Sequence, residues 1–236
     1  MEHQEALNSL TVSSDGCRHP FCNVATDLAH LIATVSSTAI YHRKTTLLVE
    51  GQRAHGVFIL ATGKAKLFTG SSLGKTIITR FVDSGEVLGL SAVVSGDHYR
   101  ATAEMITDGQ VDFVPRDSLL RLMKEHHQIA LAVAEQLSAS YYSLHDTLRS
   151  LGLGIHPMER LAKLLLSWTN AGKEGGTSDH SFKLPLTHQE IADSIGSTRE
   201  TVSKLFSELR RNRLLRSEGG ELSILNRPEL EQIVQF

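Results

Sequence analysis

Between residues 38 and 115 the apolar side chains come in short, β-branched bursts separated by glycine. The bursts are VFILA at 57–61, KAKLF at 64–68, TIITRFV at 76–82, ATAEMI at 101–106 and VDFV at 111–114, with glycines at 51, 56, 63, 70, 74, 85, 89 and 96. Branched side chains suit the pleated surface of a strand and glycine suits tight turns, so this pattern predicts an all-β barrel or roll. After Pro115 the period changes. Residues 117–151 contain neither glycine nor proline, and Asp117 can cap a long helix through them. Ala130, Ala134, Leu137, Tyr141, Leu144, Leu148 and Leu151 recur there at spacings of 4 and 3. That 3.5-residue period predicts a seam along which two copies of the helix pair, set against a helix packed on its own domain. LGLGIHP at 151–157 reads as a hinge, 158–169 as an amphipathic helix and AGKEGGTSDH as a loop. Leu214–Leu225, with Gly219-Gly220 at its centre, reads as a β-hairpin.

The stretch 187–216, THQEIADSIGSTRETVSKLFSELRRNRLLR, carries two short helical patterns across a glycine turn. Thr187 with Glu190 and Ser197 with Glu200 both fit the S/T-x-x-E capping box. Ile191, Ala192 and Ile195 form the apolar side of the first helix; Val202, Leu205, Phe206 and Leu209 form that of the second. A connection as short as Ile195-Gly196-Ser197 predicts a steep crossing, as in a helix-turn-helix. The outer face of the second helix presents Arg199, Glu200, Ser203 and Lys204, side chains able to read base edges in a major groove.

Charge supports that reading by its position. The 236-residue chain has a net charge of -2, yet six basic residues stand against two acids between Arg199 and Arg216. A local basic patch on a weakly acidic chain suits a regulator that must release bulk DNA. The plainer reading, cations favoured at a helix C-terminus, accounts for Arg210, Arg211 and Arg213 but not for the exposed quartet. No Walker loop, G-x-S-x-G elbow, H-E-x-x-H or paired C-x-x-C motif is present, so an enzyme is not expected. No apolar run approaches the ~20 residues of a membrane span, and MEHQEALNSLTVSSDGC lacks the regions of a secretory signal. A cytoplasmic chain without membrane contact is the expectation.

The order of roll, long helix and winged helix, together with STRETVSKLFSELRRNRLL, resembles the CRP/FNR superfamily of bacterial transcription regulators. GQRAHGVFILATGKAKLF and GEVLGLSAVVSGDHYRATAE resemble parts of the family's cyclic-nucleotide-binding-type roll. The resemblance implies an α+β chain: a polar tail over 1–24, a sensory β-roll over 25–116, a dimerisation helix over 117–151 and a winged helix-turn-helix over 152–236. It also implies a homodimer on double-stranded DNA, with RNA polymerase as a further partner if the protein activates. The half-sites would lie about one DNA turn apart, ~34 Å, as a TGA-containing inverted repeat. The implied DNA-binding set is Thr187, Ser197, Thr198, Arg199, Glu200, Ser203, Lys204 and Arg210. In it Arg199 can fork onto guanine, Glu200 can accept from cytosine or only close its box, and Thr198 faces a phosphate.

The resemblance places an effector pocket at Gly89, Leu90, Arg100, Ala101, His145 and Asp146. Cyclic AMP needs an arginine, a ribose-binding glutamate and a hydroxyl there. Leu90 and Ala101 stand in the last two places, so cyclic AMP is not expected, while Arg100 holds another anion or is structural. The four-cysteine iron–sulfur cluster of the FNR branch is not expected either, because the chain has only Cys17 and Cys22. These two are plain thiols, a dithiol switch, or soft-metal ligands with His19. The remaining histidines show no ligand spacing, and no metal site is expected. The competing function is a redox-responsive or effector-binding signalling module that acts through protein contacts.

Overall fold

The computed structural model describes residues 26–72, 74–152, 156–171, 181–218 and 221–234. Cys17, His19 and Cys22 lie outside the described residues, as do the centre of the 151–157 segment and Gly219-Gly220. A helix, α1 (Thr26–Val35), leads into the strands β1 (Ser37–Tyr41), β2 (Thr46–Leu48), β3 (Gly56–Leu60), β4 (Ala65–Gly70), β5 (Thr76–Val82) and β6 (Val87–Leu88). A short helix, α2 (Leu90–Ser95), precedes β7 (Thr102–Met105) and β8 (Gly109–Pro115). Two antiparallel sheets result, ordered β1-β8-β3-β6 and β2-β7-β4-β5. Val57, Leu60, Ala65, Val82, Ala103, Met105, Val111 and Val114 are buried in the core of the roll. These are the β-branched and aliphatic positions that a pleated, half-buried surface favours. The five apolar bursts correspond to β3, β4, β5, β7 and β8, whereas the short strands β1, β2 and β6 carry no comparable pattern of their own.

The helix expected over 117–151 is two helices, α3 (Arg116–Glu125) and α4 (His127–Gly152). His126 breaks them apart with an extended backbone, φ -129° and ψ 99°. No breaker residue marks this site. Leu119 and Leu122 of α3 and Ile129, Ala132 and Val133 of α4 are all buried in the same core.

Beyond α4 come α5 (Pro157–Ala171), β9 (Ser181–Phe182), α6 (His188–Ile195), α7 (Arg199–Arg211), β10 (Leu215–Glu218), β11 (Glu221–Ile224) and α8 (Arg227–Val234). β10, β11 and β9 form a second, small antiparallel sheet system, the wing. A separate core of Leu161, Leu165, Ile191, Val202, Phe206, Leu209 and Leu230 holds the helices together. The two cores meet across polar and aromatic contacts. Phe81 of β5 packs edge-on against Trp168 of α5 with ring centroids 5.6 Å apart. Thr147 of α4 donates to the carbonyl of Thr79 at 3.1 Å, and Arg43 donates to the carbonyl of Pro185 at 2.8 Å.

Candidate nucleic-acid interface

Local sequence builds α6 as expected. Thr187 is its N-cap: the Glu190 N–H donates to the Thr187 hydroxyl at 3.2 Å, and the Thr187 N–H donates to the Glu190 carboxylate at 2.7 Å. Gly196 ends the helix at φ 59°, in the left-handed region. The second capping box is not formed. The Ser197 N–H donates to the Ala192 carbonyl at 2.9 Å, which ties Ser197 to the end of α6. The cap of α7 is therefore Thr198, whose hydroxyl accepts from the Thr201 N–H at 3.2 Å. The C-terminal closure of α6 claims the residue that the spacing had assigned to α7.

This one-residue displacement frees Glu200. Its own backbone N–H and the Thr198 hydroxyl hold its carboxyl below the usual range, with Arg199 and Lys204 adding to the effect. At neutral pH it is an exposed carboxylate beside two cations. Thr198, Arg199, Glu200 and Lys204 are exposed, while Val202, Leu205, Phe206 and Leu209 are buried behind them. The Arg199 guanidinium has no hydrogen-bond acceptor among the described residues. The ridge is not covered by its own subunit.

Ser203 is different. It is half-buried, its hydroxyl donates to the Arg199 carbonyl at 3.0 Å, and it meets His188 Nδ1 at 3.0 Å. The His188 ring stacks on Phe206, 5.1 Å between centroids and 3° from parallel. With its proton directed to Arg199, Ser203 presents acceptor lone pairs outward. His188 was not foreseen, because nothing in its sequence neighbourhood marks it as reaching the next helix. Thr187 is engaged in its cap, and Arg210 is exposed with a 3.4 Å contact to Ser207.

A buried cation links this surface to the roll. Lys66 of β4, only 8% exposed, pairs with Glu104 of β7 at 2.9 Å and with Glu190 of α6 at 2.5 Å. Burial alone would lower the Lys66 pKa, but the two carboxylates outweigh it and raise the value. Burial would raise Glu190, yet the hydrogen bonds from Lys66 and Thr187 lower it. Glu190 thus closes its helix cap with one oxygen and anchors the roll with the other.

The six residues of the expected effector pocket sit in different surroundings. Leu90 is 4% exposed in the roll core. Arg100 points outward with 77% of its side chain exposed and pairs with Asp97. Gly89 has a packing reason of its own, since it lies at φ 84° and a Cβ there would come within 2.8 Å of the Tyr99 ring. His145 is exposed near Tyr141, and Asp146 faces a different cleft. A buried leucine and an outward, carboxylate-paired arginine do not fit a cyclic nucleotide.

The expected seam also divides. Leu137 packs on the roll core, Ala130 is half-buried, and Leu151 lies over the turn between α6 and α7. Ala134, Tyr141, Leu144 and Leu148 remain exposed, and Leu131 and Tyr142 join them. Tyr141 at 65% and Leu148 at 62% exposure leave an apolar stripe along α4 without cover from their own subunit.

Comparison with known proteins agrees with this geometry. Residues 39–126 match the family model described as "Cyclic nucleotide-binding domain", and residues 159–233 match that described as "Crp-like helix-turn-helix domain". The chain is 26% identical to the transcriptional regulatory protein btr of Bordetella pertussis, over 89% of this chain and 86% of that one. It is 23% identical to the fumarate and nitrate reduction regulatory protein of Vibrio cholerae, over 91% and 85% respectively. The solved structure of FixK2 from Bradyrhizobium japonicum superposes with a TM-score of 0.74 at 28% identity, covering 84% of this chain and 97% of that one.

Proposed function

This chain belongs to the CRP/FNR superfamily, a family of transcription regulators and not of enzymes, and from that premise we propose that it is a homodimer reading an inverted repeat with TGA-containing half-sites. The observation that carries the reading is the uncovered ridge of Arg199, Glu200 and Lys204 on α7, held in place by the caps at Thr187 and Thr198. Arg199 offers a fork to guanine O6 and N7, and Glu200 accepts from cytosine N4. Ser203, which directs its proton to Arg199, takes the acceptor's part toward an amino group. Thr198 and Arg210 face phosphates, while Thr187 and Ser197 orient the two helices.

Pairing follows the exposed stripe of α4. An apolar strip of this length on a helix is covered by its symmetry mate, and the dimer sets two α7 helices one DNA turn apart, ~34 Å. Among the described residues no helix is long and apolar enough to cross a membrane. We place the protein in the cytoplasm, with RNA polymerase as its partner where it activates. The misfit at Leu90 and Arg100 argues that the signal is not cyclic AMP.

Binding-site selection with the purified full chain tests the reading, run reduced and oxidised, with and without cyclic nucleotides. An enriched palindrome with TGA half-sites is expected. Failure to retain any palindromic sequence under all of these conditions would reject it.

A further inference from the structure

The geometry points to a second ligand site, for a small organic anion bearing a carboxylate or phosphate group, in the cleft where the roll, α4, α5 and α6 meet. The cleft has a volume of about 730 Å³, within the ~300–1,000 Å³ common for small-molecule sites. Lys64, Arg80, Arg160 and Lys163 line it, against the carboxylates Asp83 and Asp146. Three of the cations already have partners. Lys64 pairs with Asp83, Arg80 with Glu86 at 2.6 Å, and Lys163 with Glu159 at 2.8 Å.

Arg160 does not. Among the described residues no carboxylate pairs with it, its Nη1 reaches only the Ser150 carbonyl at 3.4 Å, and its Nε is buried without an acceptor. A guanidinium N–H cut off from water and left without a partner is costly. The planar fork matches a carboxylate or phosphate through two parallel hydrogen bonds. Ser143 and Ser150 of α4 also line the cleft.

Of the six positions at which the resemblance placed an effector pocket, Asp146 lines this cleft. Gly89, Leu90, Arg100 and Ala101 take no part in its walls. The walls instead come from the sensory sheet, the long helix and the last turn of α6, so an occupant would favour one relative placement of all three. A ligand shifts an equilibrium only by its differential affinity for the two states, and a junction site has that differential built in. The regulatory consequence rests on the DNA-binding reading above; anion binding itself does not.

Trp168 provides the test. It is the only tryptophan in the chain, lines the cleft and is 9% exposed. Full-length protein is titrated with sodium succinate and, separately, with inorganic phosphate, against sodium chloride at matched ionic strength, while tryptophan fluorescence is followed. A saturable change with either anion supports the site, and which anion saturates identifies the class. Arg160→Gln should weaken that binding by about tenfold or more, Arg160→Lys should weaken it less, and Arg199→Ala should leave it unchanged. Should Arg160→Gln fail to fold by circular dichroism, Lys163→Gln replaces it, with an expected loss of about threefold. No saturation beyond chloride, or wild-type affinity in the folded variant, overturns the proposal. Affinity for the selected operator with and without the anion then tests coupling; an unchanged affinity removes the regulatory role. A chain that selects no operator yet saturates with anion would sink the DNA-binding reading alone.

Discussion

Gly196 combines two demands in one residue. It adopts φ 59°, and a Cβ added there would lie 2.7 Å from Leu151 Cδ2. A left-handed backbone costs a non-glycine residue roughly 1–2 kcal/mol, and the leucine must also move. Gly196→Ala is therefore expected to lower Tm by roughly 3–6 °C in a thermal melt, and an unchanged Tm would show that the turn relaxes freely. Arg199 answers to a different measurement. Arg199→Ala should lose ~1–3 kcal/mol of discrimination at one base of each half-site while retaining binding to random DNA. A uniform loss across all sequences in a competition assay would instead assign Arg199 to the phosphate backbone. Both residues were visible in the sequence, Gly196 as a turn and Arg199 as an outward cation. His188 and the cap at Thr198 were not, because each depends on what the neighbouring helix does with its terminal groups.

At the scale of elements, the Lys66 bridge joins β4 and β7 to the cap of α6 across 124 positions of sequence between Lys66 and Glu190. The direction of its pH dependence follows from the two shifts. Glu190 is depressed, so its contribution is present above the ordinary carboxylate pKa of about 4.3 and is lost as pH falls through its lower folded value. Lys66 is raised, so its contribution is present below the ordinary lysine pKa of about 10.4 and is lost as pH rises through its higher folded value. Lys66→Met leaves two half-buried carboxylates without their cation and should lower Tm by roughly 5 °C at neutral pH. The difference from wild type should shrink below about pH 4. A pH-independent difference would mean that the bridge contributes only packing.

The stripe on α4 is tested by placing charge on it. Leu148→Glu is expected to convert the proposed dimer into monomers in sedimentation equilibrium, and to abolish tight binding to the proposed inverted repeat while leaving half-site contacts intact. A variant that stays dimeric would move the interface elsewhere. The sequence period pointed to this helix but mixed two faces of it. Leu137 and Leu151 obey the heptad spacing yet pack within the subunit, because the roll and the turn at Gly196 compete for the same helix.

For the molecule as a whole, electrostatics separates holding DNA from reading it. The net charge of -2 repels the duplex in general, while Arg199, Lys204, Arg210, Arg211, Arg213 and Arg216 fall within the one stretch from 199 to 216. A dimer making about 6–10 phosphate contacts should lose ~10³–10⁵ in affinity between about 50 and 200 mM salt. A flat salt dependence, read from operator binding by fluorescence anisotropy, would contradict that partition.

Strands β3, β4, β5, β7 and β8 of the roll, the helix-turn-helix and the outward face of its second helix followed from the sequence alone. Each is encoded within a short window by periodicity, β-branching, caps and turn glycines, and such local terms act before distant residues meet. Tertiary structure decided the break at His126, the start of α7 at Thr198, the bridge from Lys66 to Glu190 and the burial of the Arg160 Nε without an acceptor among the described residues. Those features depend on which groups, far apart in the chain, come to share buried space. There the cost of an unpartnered polar group and the competition for one helix face outweigh any local preference.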